Sequence, residues 1–197
     1  MATAVLAGLA NKRLVAGLAA GGVDAVGLAA LDGGLVRSVP HRDAAALGAV
    51  GQVVAVAPDL VRGLLAAGRT PVIASIGAHQ GALLNLNADD VATALAEALG
   101  AAALLLLSDT PGLFLGGQVV ARLDLSAAAE ALAGAEVTGG MKPKLEAAIH
   151  AVRCGVARAT IATWQGPGTL AALLDGRGGT CIAEPPVSIP EDATHGN

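Results

Sequence analysis

The chain has 197 residues, a net charge of −4, and 54% hydrophobic but only 14% charged residues. It contains no basic run and has one Trp, one Phe and no Tyr, which excludes a nucleic-acid platform of basic and aromatic side chains. The mean hydropathy is high at +0.64, but no apolar stretch reaches the roughly 18–20 uninterrupted residues of a membrane span, so we expect a soluble, cytoplasmic protein with no membrane partner.

The first half of the chain alternates between helix-like and strand-like segments. Predicted helices lie at residues 11–20 and 58–67. Predicted strands lie at residues 25–31, 35–39, 51–56 and 71–75, with a turn at 32–34 and loops at 40–47 and 78–84. Gly68 caps the second helix, and the small apolar and β-branched residues of the fourth strand are typical of a strand buried on both faces.

The second half continues this alternation. Predicted helices lie at residues 89–99, 127–133, 141–155 and 169–174, the second of them with Ser126 as its N-cap. Predicted strands lie at residues 103–107, 158–162 and 180–182, with a hairpin arm at 118–123. The Pro-rich, polar residues 184–197 are expected to form a disordered tail. The whole pattern predicts an α/β fold, a three-layer αβα sandwich with a mostly parallel central sheet.

The cysteines and histidines show no recognisable ligand spacing. Cys154 and Cys181 form no CxxC motif, and a disulfide is not expected in a reducing cytosol. We interpret both as small buried side chains. The histidines lie at positions 41, 79, 150 and 195. We expect no metal site and no catalytic histidine among these residues.

A first polar cluster precedes the predicted helix at 89–99. Asn85, Asn87 and Asp89 would direct two amides and a carboxylate into one crevice. Helix capping is the competing interpretation, with Asn87 as N-cap and with Asp89 and Asp90 stabilised by the helix dipole. Capping, however, does not require Asn85.

A second polar cluster follows the predicted strand at 103–107. Ser108 and Asp109 come directly after the strand, and Thr110, Pro111 and Gly112 continue the turn. In open parallel sheets, ligands bind outside the carboxyl ends of the strands. An ordinary turn would use the same residue types, so this cluster alone leaves both interpretations open.

A third cluster opens the predicted helix at 141–155. Gly139 and Gly140 would expose backbone N–H groups to an anion, and Lys144 lies one turn into the helix, within reach of a phosphate. The chain has no GxxxxGK[ST] motif. A glycine-rich turn with solvated lysines explains the same residues.

The three clusters occur in order, and together they resemble acetylglutamate kinases of the amino acid kinase superfamily. The resemblance covers residues 11–182 and extends over segments 11–12, 25–28, 48–51, 71–77, 85–89, 108–112 and 138–144. Residues 75–77 and 161–164 are most similar to the short enteric type of this family.

The resemblance implies ATP-dependent phosphorylation, with Mg²⁺, of the side-chain carboxylate of N-acetyl-L-glutamate in arginine biosynthesis. It implies that Lys144 stabilises the phosphoryl group in transfer, that Asp89 organises the catalytic lysines, and that Asn85 and Asn87 bind acetylglutamate. The implied ATP site is lined by Ser108, Asp109, Thr110, Pro111, Gly112, Leu113, Phe114, Glu136, Val137, Thr138 and Gly140.

The same resemblance implies a domain organisation. Residues 1–84 would be the remainder of a lobe for the amino-acid substrate and for dimerisation, and residues 85–183 a nucleotide-binding lobe. A homodimer is expected because the family often extends its central sheet across a two-fold axis.

Part of the family pattern is not found in the chain. This part comprises a strand with a Lys-x-Gly-Gly turn, a Gly-Gly-Gly-Pro loop and an arginine that grips the substrate. Loss of one such set of donors typically costs about 10²–10³-fold in rate. We therefore expect little or no kinase activity from this chain alone.

Two alternative functions remain at this point. A carrier-protein-linked aminoadipate kinase would show the same motifs, although residues 75–77 and 139–141 favour acetylglutamate. A sensor would instead bind ATP through Asp109 and Lys144 without transferring phosphate.

Overall fold

The computed structural model describes residues 1–184 and confirms the predicted α/β class with parallel strands. The predicted disordered tail at 184–197 lies outside the described residues from residue 185 onward. Within residues 1–184, every helix is too short or too polar to cross a lipid bilayer.

The helices follow the predicted order. They are α1 (Asn11–Ala20), α2 (Ala44–Leu47), α3 (Asp59–Ala66), α4 (Ala88–Leu99), α5 (Leu125–Ala133), α6 (Met141–Arg153) and α7 (Thr169–Leu174). A π-helical segment, Ala4–Ala10, runs directly into α1, and a 3₁₀ turn occupies Asp32–Gly34. The segment 40–47, predicted as a loop, contains the short helix α2.

The strands are short. They are β1 (Ala25–Ala29), β2 (Val36–Pro40), β3 (Gly51–Val56), β4 (Thr70–Ala74), β5 (Ile76–His79), β6 (Ala82–Asn85), β7 (Leu104–Ser108), β8 (Phe114–Leu115), β9 (Gln118–Val119), β10 (Arg122–Leu123), β11 (Ala159–Thr163) and β12 (Thr180–Ile182).

The strands of residues 1–184 pair in five separate groups. The largest is a four-stranded sheet in the order β10-β12-β11-β7, in which β7 is parallel to β11, β11 antiparallel to β12, and β12 parallel to β10. A second parallel pair joins β1 to β4, with Ala25 opposite Thr70. Antiparallel pairs join β2 to β3, β5 to β6 and β8 to β9.

Two hydrophobic clusters form the core. One contains Ala30, Leu35, Val36, Val61, Leu84, Leu86 and Val91. The other lies around α6 and the four-stranded sheet, where Leu145, Ala148, Ile149 and Val152 of α6 are all buried. These four residues follow the i, i+3, i+4, i+7 spacing that places side chains on one helix face.

The strand β4 is less buried than its sequence predicts. Residues 71–74 are only half-buried and Thr70 is exposed. The physical reason is that β4 pairs with one described strand, β1, and packs against α1 and α3. Its apolar composition indicated burial on both faces, and that prediction is wrong.

The predicted loop at 78–84 is instead part of a hairpin. β5 pairs antiparallel with β6, and His79 lies opposite Ala82. The two residues between them, Gln80 and Gly81, have φ values of +48° and +81°. Positive φ at both central residues is the mark of a type I′ turn, whose twist matches that of a hairpin.

The N-cap predicted at Ser126 is also wrong. α5 begins at Leu125, and the side chain of Asp124 accepts a hydrogen bond of 2.8 Å from the Ala127 N–H. Asp124 therefore satisfies one of the free N–H groups in the first turn.

Candidate functional site

The first and third polar clusters meet in an ion pair between two helix starts. Asp89 lies in the first turn of α4 and Lys144 in the first turn of α6, and the two helices pack side by side. Lys144 Nζ donates to both carboxylate oxygens of Asp89 at 3.0 Å. The side chains are only 21% and 19% exposed. The structure thus brings together two residues that are 55 positions apart in the sequence.

Asn87 has the capping role that the sequence allowed. Its Oδ1 accepts hydrogen bonds from the Asp89 N–H at 2.8 Å and from the Asp90 N–H at 3.3 Å. Because this oxygen is used by the helix, only the amide NH₂ of Asn87 remains for a substrate. Substrate binding by Asn87 stays a prediction.

Asn85 is fixed through its backbone and exposed through its side chain. It ends β6, its N–H donates to the Ala49 carbonyl at 2.8 Å, and it is bridged to Val50. The strand therefore holds Asn85 two residues ahead of the N-cap of α4, with a side chain accessible to a ligand.

The second cluster lies at the carboxyl end of β7. Ser108 Oγ donates to Asp109 Oδ1 at 3.0 Å, and Asp109 is exposed. The connection from α4 to β7 is short, so the carboxyl end of β7 lies on the same side of the fold as the start of α4. β7 also packs against α6. This topology directs the acidic strand end toward the side that carries Asp89 and Lys144.

The loop after Asp109 is held by Thr180. The Leu113 N–H donates to Thr180 Oγ1 at 2.8 Å, and this hydroxyl in turn donates to the Val120 carbonyl at 2.6 Å. A Cβ on Gly112 would lie 2.6 Å from the same hydroxyl. This close approach therefore requires glycine at position 112, where it allows the loop to pack against Thr180.

Two residues of the predicted ATP lining are part of the hydrophobic core. Leu113 is 1% exposed and Val137 is 5% exposed. Their side chains do not face an open site, so only their backbone groups could contact a nucleotide. Phe114 is 46% exposed, and Glu136 Oε2 accepts from the Gly116 N–H at 2.7 Å, which ties the two predicted ATP-site segments together.

Two features at these segments leave room for a ligand. Thr110 Oγ1 is buried and has no hydrogen-bond partner among the described residues, which is unusual because buried polar atoms are normally paired. Gly139 has a φ of +57°, and no heavy atom lies within 4 Å of a Cβ built on Gly139 or Gly140. Thr138, Gly139 and Gly140 are all exposed.

A cavity of about 590 Å³ lies between β3, α4 and α6. Its polar lining includes Gln52, Asp90, Thr93, Glu97, Glu146 and His150. Asp90 is exposed on one side, but its partial desolvation at the cavity wall raises its pKa above the ordinary value of 3.8, and the neighbouring Asp89 and Glu146 carboxylates raise it further. This cavity was not predicted, because its acidic residues come from two helices that come together only in the folded chain.

Comparison with known proteins identifies related chains. The profile of the Amino acid kinase family matches residues 1–163. An acetylglutamate kinase from Chloroflexus aurantiacus is 43% identical over 175 residues, which is 87% of this chain and 66% of the relative. One from Methanopyrus kandleri is 42% identical over 184 residues, which is 88% of this chain and 72% of the relative. The first of these relatives is thus matched over slightly less than two thirds of its length.

Solved structures share the fold. The crystal structure of smu.665 from Streptococcus mutans UA159 has a TM-score of 0.77 at 28% identity and covers 93% of this chain and 70% of that one. A carbamate kinase from Giardia lamblia bound to AMP-PNP has a TM-score of 0.66 at 13% identity, over 89% of this chain and 67% of that one, which is a likeness of fold alone. The resemblance predicted from the sequence motifs is confirmed.

Proposed function

Since the chain belongs to the amino acid kinase family, we propose that it serves the ATP-dependent phosphorylation of the side-chain carboxylate of N-acetyl-L-glutamate in arginine biosynthesis. The relatives named acetylglutamate kinase support this acceptor. The observation that carries the proposal is the pair of Lys144 with Asp89 at 3.0 Å, which places one ammonium group beside an open, glycine-rich helix start.

Phosphoryl transfer requires positioning and charge stabilisation more than covalent chemistry. Negative charge is spread over the oxygens of the transferring group, and preorganised cations and N–H donors stabilise it. Lys144 supplies a compact cation on a flexible stem, which can follow a moving group. Asp89 holds that cation in place before ATP binds.

The residues present fit a nucleotide. The unpartnered hydroxyl of Thr110 and the open space at Gly139 and Gly140 could accept a phosphate or a ribose. The exposed carboxylate of Asp109 suits Mg²⁺, which typically binds through one or two carboxylates and the phosphate oxygens of its substrate. Mg²⁺ would neutralise charge on the phosphates.

The two hydrophobic clusters support a division into lobes. One cluster spans residues 30–91 and the other spans residues 96–182. Most of the first cluster falls in the proposed substrate and dimerisation lobe over 1–84, with Leu86 and Val91 beyond its boundary, and the second cluster falls in the proposed nucleotide-binding lobe over 85–183. Assembly as a homodimer and a cytoplasmic location belong to the same proposal.

The test combines turnover with ligand binding. ADP release is followed in a coupled assay with ATP, Mg²⁺ and acetylglutamate, and the binding of each ligand is measured by calorimetry. We expect Lys144→Met to lower turnover by about 100-fold or more. Lys142→Met is the matched control, because Lys142 lies in the same helix turn but is exposed, and it should keep the rate of the parent chain.

The outcomes separate the alternatives. Turnover with acetylglutamate supports the proposal and contradicts the sequence-based expectation of an inactive chain. Binding of ATP at a background rate of ADP release would support the sensor instead. Turnover only with a carrier-linked aminoadipate would support the related kinase. An equal loss of turnover in Lys144→Met and Lys142→Met would show that Lys144 has no specific role in catalysis.

A further inference from the structure

Three side chains with metal-binding groups lie together at the C-terminal ends of α4 and α6. They are Glu97, His150 and Cys154. A carboxylate oxygen, a ring nitrogen and the sulfur of these residues all lie within 4.8 Å of one another. Cys154 Sγ is 3.6 Å from His150 Nε2. His150 and Glu97 are exposed and Cys154 is half-buried, so the cluster is accessible to an ion from solvent.

The two helices fix this arrangement. His150 and Cys154 are four residues apart, and this spacing places them on one face of the helix, one turn apart. Glu97 lies in the last turn of α4, which packs along α6. Glu97 and His150 lie within regular helices and Cys154 is the C-cap of α6, which favours a constant geometry.

The distances suit zinc. Zn²⁺ binds Cys sulfur at about 2.3 Å and His nitrogen at about 2.0–2.1 Å in tetrahedral geometry, which separates the two ligand atoms by about 3.6 Å. Thiolate, imidazole and carboxylate together also favour a transition metal over Mg²⁺ or Ca²⁺, whose ligands are oxygens.

The cluster adjoins the 590 Å³ cavity between β3, α4 and α6. Glu97 and His150 belong to the cluster and also line the cavity. Thr93 also lines the cavity, is 3% exposed, and its hydroxyl has no hydrogen-bond partner among the described residues. Space and a buried hydroxyl without a partner among the described residues therefore lie beside Glu97 and His150.

We propose that Glu97, His150 and Cys154 bind a divalent transition metal of the zinc class, with its fourth position open toward this cavity. The site is separate from the Lys144 pair, because Asp89 and Glu97 are eight positions apart, which corresponds to about 12 Å along the helix. The bound metal ties together the C-terminal ends of the two helices whose N-terminal ends are joined by Lys144 and Asp89.

The test uses the full chain after removal of metal with a chelator and dialysis. Co²⁺ is added and the absorption is recorded, because a thiolate ligand gives a sulfur-to-cobalt charge-transfer band and tetrahedral coordination gives intense visible bands. Zn²⁺ affinity is then measured by competition. We expect one equivalent of metal to bind and Zn²⁺ to displace Co²⁺.

Variants identify the ligands. Cys154→Ala should abolish the charge-transfer band and lower Zn²⁺ affinity by about 100-fold or more. Cys181→Ala is the matched control, because Cys181 is the other half-buried free cysteine and lies on β12, and it should change neither. His150→Gln and Glu97→Gln should each lower the affinity while the circular dichroism spectrum is retained.

Several results would overturn the site. These are the absence of a charge-transfer band in the parent chain, an equal Zn²⁺ affinity in Cys154→Ala, or an equal loss in Cys181→Ala. In any of these cases Cys154 is not a metal ligand. None of these readouts depends on kinase activity, so failure here and failure of the proposed function are distinguishable.

Discussion

The pair of Lys144 and Asp89 differs from the other ion pairs of the described chain in its burial. Its side chains are 21% and 19% exposed, whereas those of Arg177 and Asp175 are 71% and 63% exposed at a shorter distance of 2.8 Å. Partial burial strengthens the attraction between charges and also raises the cost of leaving one unpaired. An exposed pair contributes little because water screens it.

Removing the carboxylate should therefore destabilise the fold more in the Lys144–Asp89 pair than in the Arg177–Asp175 pair. We predict that Asp89→Asn lowers the free energy of unfolding by about 1–2 kcal/mol, since it leaves Lys144 partly buried without a counter-charge. Asp175→Asn should cost less than about 0.5 kcal/mol. Urea denaturation at neutral pH measures both. Equal losses would show that burial does not strengthen the Lys144 pair.

Single residues were predictable only where their partners are local. Asn87 could be assigned as an N-cap because its side chain accepts hydrogen bonds from residues only two and three positions further on, Asp89 and Asp90. The pairing of Asp89 with Lys144 came from family resemblance, because no local rule joins distant helices. No ligand spacing was recognised at His150 and Cys154 in the sequence, and Glu97 comes from another helix, so the metal cluster was not predicted.

At the level of elements, the missed hairpin has a local cause. The turn between β5 and β6 holds Gln80 at φ +48° and Gly81 at φ +81°. A type I′ turn usually carries Asn-Gly or Asp-Gly, since Asn and Asp tolerate positive φ better than most residues. Gln-Gly lacks that signal, and the segment was therefore predicted as a loop.

This turn gives a test of the backbone strain at Gln80. Gln80→Asn should raise the free energy of unfolding by about 0.5–1 kcal/mol, because Asn adopts the left-handed region more readily. Gly81→Ala should lower it by about 1 kcal/mol, although no heavy atom lies within 4 Å of the added Cβ. Thermal and urea denaturation would report both. A destabilising Gln80→Asn would contradict the strain argument.

The corrected cap of α5 is a second test at this level. Asp124→Ala should lower the free energy of unfolding by about 1 kcal/mol, because it leaves the Ala127 N–H without its 2.8 Å acceptor. Ser126→Ala is the control and should change stability little, since Ser126 lies inside the helix and is exposed. A larger loss of stability in Ser126→Ala than in Asp124→Ala would instead support Ser126, the N-cap predicted from the sequence.

For the molecule as a whole, the alternation of segments predicted the fold class because periodicity is a local property. The division of the strands into five groups and the half-burial of β4 were not predicted. Both depend on which strands pair, and apolar composition does not reveal this. The same holds for the candidate site. Its residues could be identified from sequence motifs, but the contacts between them are seen only in the folded structure.

The net charge of −4 is concentrated in part around the cavity, where Asp90, Glu97 and Glu146 converge. The pKa of Asp90 is raised above 3.8, first by burial and then by Asp89 and Glu146, while His150 and His41 lower it by smaller amounts. The folded state therefore binds the Asp90 proton more tightly than the unfolded state. Between the ordinary and the raised pKa, stability must fall as the pH rises, and the loss persists at neutral pH.

Replacing the Asp90 carboxylate should restore the stability that its ionisation costs at neutral pH. We predict that Asp90→Asn increases the free energy of unfolding at about pH 7 and changes it much less at about pH 3, where Asp90 is mostly protonated in both states. Asp59→Asn is the matched control, because Asp59 also lies in the first turn of a helix but its side chain is 93% exposed. It should keep the pH dependence of the parent chain. Urea denaturation at both pH values measures the difference, and an Asp90→Asn variant that is less stable at neutral pH would mean that the favourable helix dipole outweighs burial at this position.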